Sequence, residues 1–350
     1  MIVQGENQQI LLKGGFEMVA YFARRFLVSI TILLAVSFAV YVIFALLPFD
    51  PAALTCGKNC NDPTIIEANR IRLGYDKPFW EQYWIFISGL FLGRSFGEGA
   101  ALIQCPAPSL GYSFQEHACV TDSILHALPV TLSLAIGALL LWLALGVGLG
   151  ILAARFRGKA ADIGSTIFVL IGTSLPTFLT GLLLLVFVVV KWGILPYPSG
   201  SYTPLLENPL EWLNTMILPW ITLAFAYAAL YTRFVRNSVI ETSSEDFIRT
   251  ARAKGLSEKV VLRKHTLRAA LAPLTTMAGL DFAGLLGGAI LTESVFNLPG
   301  LGRLSLGAVR DFDLPIIVAT TLLAAAIVIF MNLIVDILYA LIDPRVRVAA

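Results

Sequence analysis

The chain has 350 residues, 57% of them hydrophobic and only 14% charged, with a mean hydropathy of +0.79. Soluble domains carry about 25% charged residues, so this composition excludes an ordinary soluble enzyme and points to a chain whose solvent is lipid. The net charge of +2 says little about partners, and the placement of the charges says more.

A spanning helix needs about 20 mostly apolar residues. Six segments qualify: Phe26–Leu47, Ile124–Ala154, Ile163–Val190, Thr215–Tyr231, Pro273–Leu291 and Leu314–Leu341. The expected class is an all-α polytopic membrane protein with both ends on one side. Lys and Arg collect in cytoplasmic loops. With both ends in the cytoplasm, 17 of the Lys and Arg residues lie inside and 8 outside, so the termini are expected to be cytoplasmic.

Residues 1–17 are polar and read as an unstructured cytoplasmic lead-in. The first apolar run follows Arg24-Arg25 and is too long for the core of a cleaved signal, so it reads as an uncleaved anchor. Residues 48–123 then form an extracellular region that holds all four cysteines, Cys56, Cys60, Cys105 and Cys119. Disulfides persist outside the cell, so two bonds are expected; free thiols or a metal site are the other readings. Four cysteines allow three pairings, and the local pairs Cys56–Cys60 and Cys105–Cys119 are favoured here. Asp62-Pro63 opens a helix, and the aromatic stretch 77–93 reads as an amphipathic helix along the membrane face. Between Lys191 and Leu213 the chain is rich in Pro, Gly and aromatic residues, as expected at an interface.

Pro129, Pro176 and Pro219 fall inside predicted spans, and each favours a kink. Around Pro176 lie Thr173, Ser174, Thr177 and Thr180. Their hydroxyls either satisfy the kinked backbone or line a solute path. Asp281 sits mid-span beside glycines and Asp336 near the end of the last span. An intramembrane carboxylate is a functional candidate. Asp281 either faces a water-filled cavity and meets a cationic solute group, or hydrogen-bonds a neighbouring helix, or is protonated. Asp336 is expected to pair at the cytoplasmic edge. Neither aspartate has the glycine context of an intramembrane aspartyl protease.

Catalytic apparatus is missing from the sequence. A phosphate-binding loop needs an upstream glycine and a hydroxyl after Gly-Lys; Gly158-Lys159 has neither, being followed by Ala160. No HExxH zinc helix occurs, and His117, His126 and His265 are far apart. The chain alone is therefore expected not to hydrolyse ATP.

Between the fourth and fifth spans, Glu245–Leu271 carries seven basic and three acidic residues. Glu245 and Asp246 precede the basic residues, which suits the dipole of a helix. Phe247, Ile248, Ala251 and Leu256 give that helix an apolar edge. Gly255 is a helix stop, and Ser257 with Glu258 starts a second helix. The small Ala251 and Ala253 would let another protein approach. Helix, glycine turn, helix at the cytoplasmic face reads as a docking element rather than a solvated loop.

This segment resembles the EAA motif of ABC importer permeases, which fits a cleft in a separate ATPase. DFIRTARAKGL (246–256), followed by His265, Leu267 and Arg268, is similar to the form in dipeptide and oligopeptide permeases. Arg249-Thr250-Ala251 stands where the general motif has Glu-Ala-Ala, and Gly255 keeps the motif's glycine. Further resemblances are ARRFL (23–27) with Met18 near the usual start, LGYDKPFWEQY (73–83), ILTESVFNLPGLGRL (290–304) and NLIVDILYALIDPRVR (332–347). The resemblance covers about residues 18–347, leaving 348–350 as a tail. Phe49-Asp50-Pro51 departs from the family's Gly-Asp-Pro, and the segment 97–120 is an insertion.

The resemblance implies an ABC type I importer permease fold in a bacterial cell membrane and import of peptides by alternating access. It implies as partners a second homologous permease, two ATPase subunits, an extracellular solute-binding protein and membrane lipid, with no nucleic acid. ATP and magnesium would bind the ATPases, and this chain would hold no cofactor. Within the coupling segment 236–271, the resemblance assigns ATPase coupling to Glu245, Asp246, Phe247, Arg249, Thr250, Ala251, Arg252, Ala253, Lys254, Gly255 and Leu256. Thr173, Ser174, Pro176, Thr177 and Asp281 are the candidates for the translocation path. A nickel or other small-solute importer would share these motifs. A secondary transporter would need no docking element.

Overall fold

The computed structural model describes residues 24–43, 51–54, 62–97, 102–196 and 200–342. The lead-in 1–17, Cys56, Cys60 and the Phe49-Asp50 departure lie outside these residues, as does the side chain of Asp336. Among the described residues, four helices are long and apolar enough to cross a membrane: α1 (Arg24–Ile43), α5 (Val120–Arg155), α8 (Pro209–Ser243) and α15 (Leu314–Ile342), the last through its stretch Leu314–Val335. Two bent pairs bring the number to six if each pair is one span.

The first pair is α6 (Ala160–Ser174) and α7 (Thr177–Leu184), the latter continued by a widened π-helical turn, Leu185–Lys191. The two halves meet at 100°. Pro176 therefore breaks the third span rather than kinking it. A residue before proline is pushed out of the helical region, and Leu175 is extended at φ −89°, ψ 122°. Pro129 and Pro219 instead stay inside continuous helices, α5 and α8. The second pair runs from Glu258 to Ala270 and from Ala272 to Leu286, bent by 48°. It comprises α10 (Glu258–Val260), a π-helical turn (Val261–Thr266), α11 (Leu267–Ala270) and α12 (Ala272–Leu286). Pro273 falls in the first turn of α12, where its missing N–H costs nothing.

The core is the seam between α5 and α8. Leu134, Trp142, Met216, Tyr231 and Val235 are fully buried there, and Trp142 stacks on Tyr227 with ring centroids 4.6 Å apart. Small residues let spanning helices touch. A Cβ added to Gly146 would fall 2.6 Å from the Tyr231 Cβ, and one on Gly150 2.9 Å from the Thr232 carbonyl oxygen. Gly148, between them, faces nothing within 4 Å. Gly150→Leu is thus expected to destabilise the chain by roughly 1–3 kcal/mol or more through overpacking, while Gly148→Leu is not. Thermal unfolding of the two variants in the same detergent checks this; equal melting temperatures would remove the close-approach account. Elsewhere α12 packs along α15 and α6 along α8.

After the short α2 (Pro51–Leu54), α3 (Pro63–Leu73) begins as expected, with Asp62 accepting from the Thr64 amide at 2.9 Å. α4 (Phe79–Leu92) sets Phe79, Tyr83 and Phe86 against Phe38 and Tyr41 of α1. Its other side leaves Trp80, Trp84 and Phe91 at least 69% exposed, which suits a helix lying in an interface. The described residues of the insertion form strands: β2 (Ile103–Cys105) pairs antiparallel with β1 (Arg94–Phe96) just before it, and β3 (Tyr112–Ser113) pairs with β4 (Ala118–Cys119). A disulfide joins Cys105 to Cys119, and Phe96 and Tyr112 pack around it. Strands this short carry too little alternation to be read from sequence.

Candidate functional site

The segment after α8 folds as a short helix, α9 (Asp246–Ala253), with Glu245 at its N-cap. Positions three apart share a helix face. Ile248 and Ala251 accordingly turn inward and are buried against Val261 of the following π turn. This corrects the expectation that Ala251 faces a partner: the exposed small residue is Ala253. The apolar edge divides in the same way, leaving Phe247 and Leu256 exposed. Glu245, Asp246, Arg249, Thr250, Arg252, Lys254 and Gly255 are exposed as well. Arg249 reaches Asp246 at 3.3 Å.

Gly255 has φ +78°, in the left-handed region that glycine enters without steric cost. The turn is closed by Gly255 N donating to the Arg252 carbonyl at 2.9 Å. Ser257 occupies the next N-cap position, but its side chain makes no capping bond, contrary to expectation. Arg252 instead holds the start of α10 from the side, through the Glu258 carboxylate. Its Nε and Nη2 donate to the Glu258 carboxylate at 2.8 and 3.4 Å, and its Nη1 to the Ser243 carbonyl at 3.3 Å. One side chain thus ties α9 to the end of α8 and to the start of α10. Exposed ion pairs contribute only about 0–1 kcal/mol, so the effect is geometric. The sequence reading missed this link, although opposite charges six residues apart across a glycine turn were a usable signal.

A second fixture lies where the turn between α5 and α6 meets α8. Arg236 grips Asp162 with Nε at 2.6 Å and Nη2 at 3.0 Å, and the Gly158 amide donates to the same carboxylate at 2.9 Å. A bidentate fork of this kind fixes orientation as well as distance.

Of the candidate path residues, Thr173, Ser174, Pro176 and Thr177 share the α6–α7 break, and Asp281 stands apart from them. Asp281, half-buried on α12, accepts a hydrogen bond from the Tyr231 hydroxyl at 2.6 Å. This is the helix–helix contact that was one of its readings. The Pro176 break lies elsewhere. Gly172, four residues earlier, packs on Ala229, and Ala229 and Tyr231 point about 160° apart around α8. Thr173 and Thr180 donate to the carbonyls of Val169 and Pro176 at 2.8 and 3.3 Å. Ser174 is exposed and Thr177 half-buried.

The TESVFNLPGLG element forms α13 (Ile290–Val295) and α14 (Leu301–Asp311). Its centre is Glu293, fully buried. The Glu293 carboxylate accepts from the Thr131 hydroxyl at 2.8 Å and from the Arg303 amide at 2.9 Å. Thr131 in turn accepts from the Leu301 amide at 2.8 Å. Amides at a helix N-terminus suit an anionic acceptor. Burial nevertheless pushes the Glu293 carboxyl above the ordinary glutamate range, and these donors only partly oppose that. Asp313 behaves alike: burial raises it, while a bond from Ser113 opposes the shift. Among the described residues no group of His, Cys, Asp and Glu side chains has metal-holding geometry.

Residues 146–348 match the family described as binding-protein-dependent transport system inner membrane component, and residues 18–135 match its N-terminal part. A Brucella abortus (strain 2308) protein named as a peptide transport system permease is 36% identical over 94% of this chain and 99% of its own length. The glutathione transport system permease protein GsiC of Escherichia coli (strain K12) is 38% identical, with the same coverage of both chains. A solved structure titled as an inward-facing conformation of the MetNI methionine ABC transporter matches with a TM-score of 0.50 at 18% identity, over 64% of this chain and 97% of that one. That likeness bears on the fold. A helical architecture of four to six candidate spans, a helix–glycine–helix segment between two of them, full-length relatives and the family profile agree: the chain belongs to the binding-protein-dependent transport system inner membrane components.

Proposed function

We propose that the chain is the membrane-spanning permease subunit of an ATP-driven peptide importer in a bacterial cell membrane. It supplies half of a translocation pathway, and its partners are a second permease, two ATPases and an extracellular peptide-binding protein. ATP and magnesium act on the ATPases. The observation that carries this reading is the construction of α9. Its inner face is anchored by Ile248 and Ala251, while Phe247 and a charged rim stay exposed, as a knob for a protein cleft requires.

The covalent path from that knob explains how a push could travel. α9 follows α8 directly, and Arg252 clamps it to both α8 and α10. α8 lies along α5 without a gap, because Gly146 and Gly150 admit it. Close-packed helices transmit displacement rather than absorb it. Movement of α9 therefore reorients α8 against α5, and α10–α12 move with it. Asp281 and the Pro176 break then stand on the two flanks of the moving helix, where solute contact would be gained or lost.

The test is reconstitution of the chain with its co-encoded subunits in liposomes, with a labelled dipeptide and a labelled tripeptide outside. ATP-dependent accumulation is expected, with none for this chain alone. Accumulation by the chain alone under an ion gradient would replace the proposal with secondary transport. Uptake of labelled nickel in place of peptide would reassign the solute.

A further inference from the structure

A cavity of about 470 Å³ opens between α6 and α8, lined in part by Ser165, Thr166, Thr232, Arg233 and Arg236. It lies at the ends of both helices nearest α9, which the Lys and Arg distribution places inside. Thr232 is fully buried, yet its hydroxyl has no hydrogen-bond partner. A buried polar group left unpaired in a native fold points to a missing ligand or water. Arg233 is exposed and makes no ion pair among the described residues. Arg236 is already committed to Asp162, so Arg233 supplies the site's uncompensated positive charge. A hydroxyl donor beside a free guanidinium is the chemistry that holds a phosphate oxygen.

The surroundings separate a lipid phosphate from a free one. Ile163, Ile167 and Leu170 of α6 are 58%, 52% and 61% exposed. Their spacing of four and three residues sets them on one helix face, running from the cavity mouth toward the middle of the span. A polar pocket at the cytoplasmic boundary with an apolar track leading inward is complementary to an amphiphile. We propose that this cavity holds the phosphate of an anionic phospholipid of the cytoplasmic leaflet, with an acyl chain along α6. The inference is independent of which solute the chain carries.

The full chain, extracted in mild detergent with its accompanying subunits and stripped of lipid, would be titrated with phosphatidylglycerol, phosphatidylcholine or inorganic phosphate and read by native mass spectrometry. Wild type is expected to retain phosphatidylglycerol preferentially. Arg233→Gln should reduce that retention by about fivefold, the effect of one basic residue at an anionic membrane surface. Thr232→Val keeps the shape, removes the unpaired hydroxyl and should also weaken retention; it provides the reading if the arginine variant does not fold. Arg310→Gln, at an exposed basic residue of α14 away from the cavity, should leave the lipid preference unchanged. Equal retention of the two lipids, or unchanged preference in both cavity variants, overturns the proposal. Displacement of the lipid by millimolar inorganic phosphate would also overturn it, marking a free-anion site instead.

Discussion

Replacing Gly255 with valine is expected to leave the chain at normal abundance in the membrane while weakening ATPase capture and abolishing peptide uptake. Space is not the obstacle, since an added Cβ meets nothing within 4 Å. The obstacle is φ +78°, where a β-branched residue is strained by about 1–3 kcal/mol. The turn relieves that strain by opening. Opening draws Arg252 away from Glu258 and lifts Ile248 and Ala251 off Val261. The spans are held by the α5–α8 seam and by lipid, so they persist. If the knob geometry is lost by this amount, capture falls by roughly 10- to 100-fold. Gly255→Asn, which tolerates the left-handed region, should retain most of both activities. Arg249→Glu tests a different property, the charge at the contact, with the turn intact. Co-purification of the ATPase with each variant, and uptake of a labelled peptide in cells, are the measurements. Full capture and wild-type uptake by Gly255→Val would show that this segment is not the coupling element.

Gly255 also shows which features a sequence discloses. Its role is local: a glycine between two short helical patterns can be read without knowing what lies across the fold. Spanning length, the Asp62 cap and the consequence of Pro176 for Leu175 are legible for the same reason. The severity at Pro176 was not legible. Whether a proline bends or breaks a helix depends on what replaces the lost packing, and Pro129 and Pro219 remain inside intact helices. The orientation of Ala251 was hidden because its partner, Val261, belongs to the next element. Asp162 and Arg236 are 74 residues apart, and Thr131 and Glu293 are 162 apart. Each looks like an ordinary polar residue until the helices are placed. In the sequence Glu293 is one letter of a motif, yet in the fold it is a fully buried carboxylate.

Glu293→Ala is the second substitution expected to have a large effect. Two elements meet at this carboxylate. Through Thr131 it reaches α5, and through the Arg303 amide it reaches the N-terminus of α14. Removal leaves those buried donors unpaired and opens a cavity, a loss on the order of 3 kcal/mol. Glu293→Gln should cost less, because it keeps the volume and one acceptor, but its amide N–H₂ must face a donor. Gly300→Ala attacks the same point from the other side, since its added Cβ would fall 2.4 Å from the Glu293 carboxyl carbon. All three should lower the melting temperature, in the order Ala worst and Gln mildest among the Glu293 variants. A pH series adds an independent reading. The folded pKa is raised above the ordinary value of 4.5, so the native state binds the proton more tightly than the unfolded chain. The resulting stabilisation is present below about pH 4.5 and is lost as pH rises through the raised value. Wild type should therefore show this decline and Glu293→Gln should lack it. Identical pH dependence in the two proteins would show that Glu293 does not titrate in the fold as described. An unchanged melting temperature in Glu293→Ala would show that the α13–α14 element is held to α5 by its apolar contacts alone.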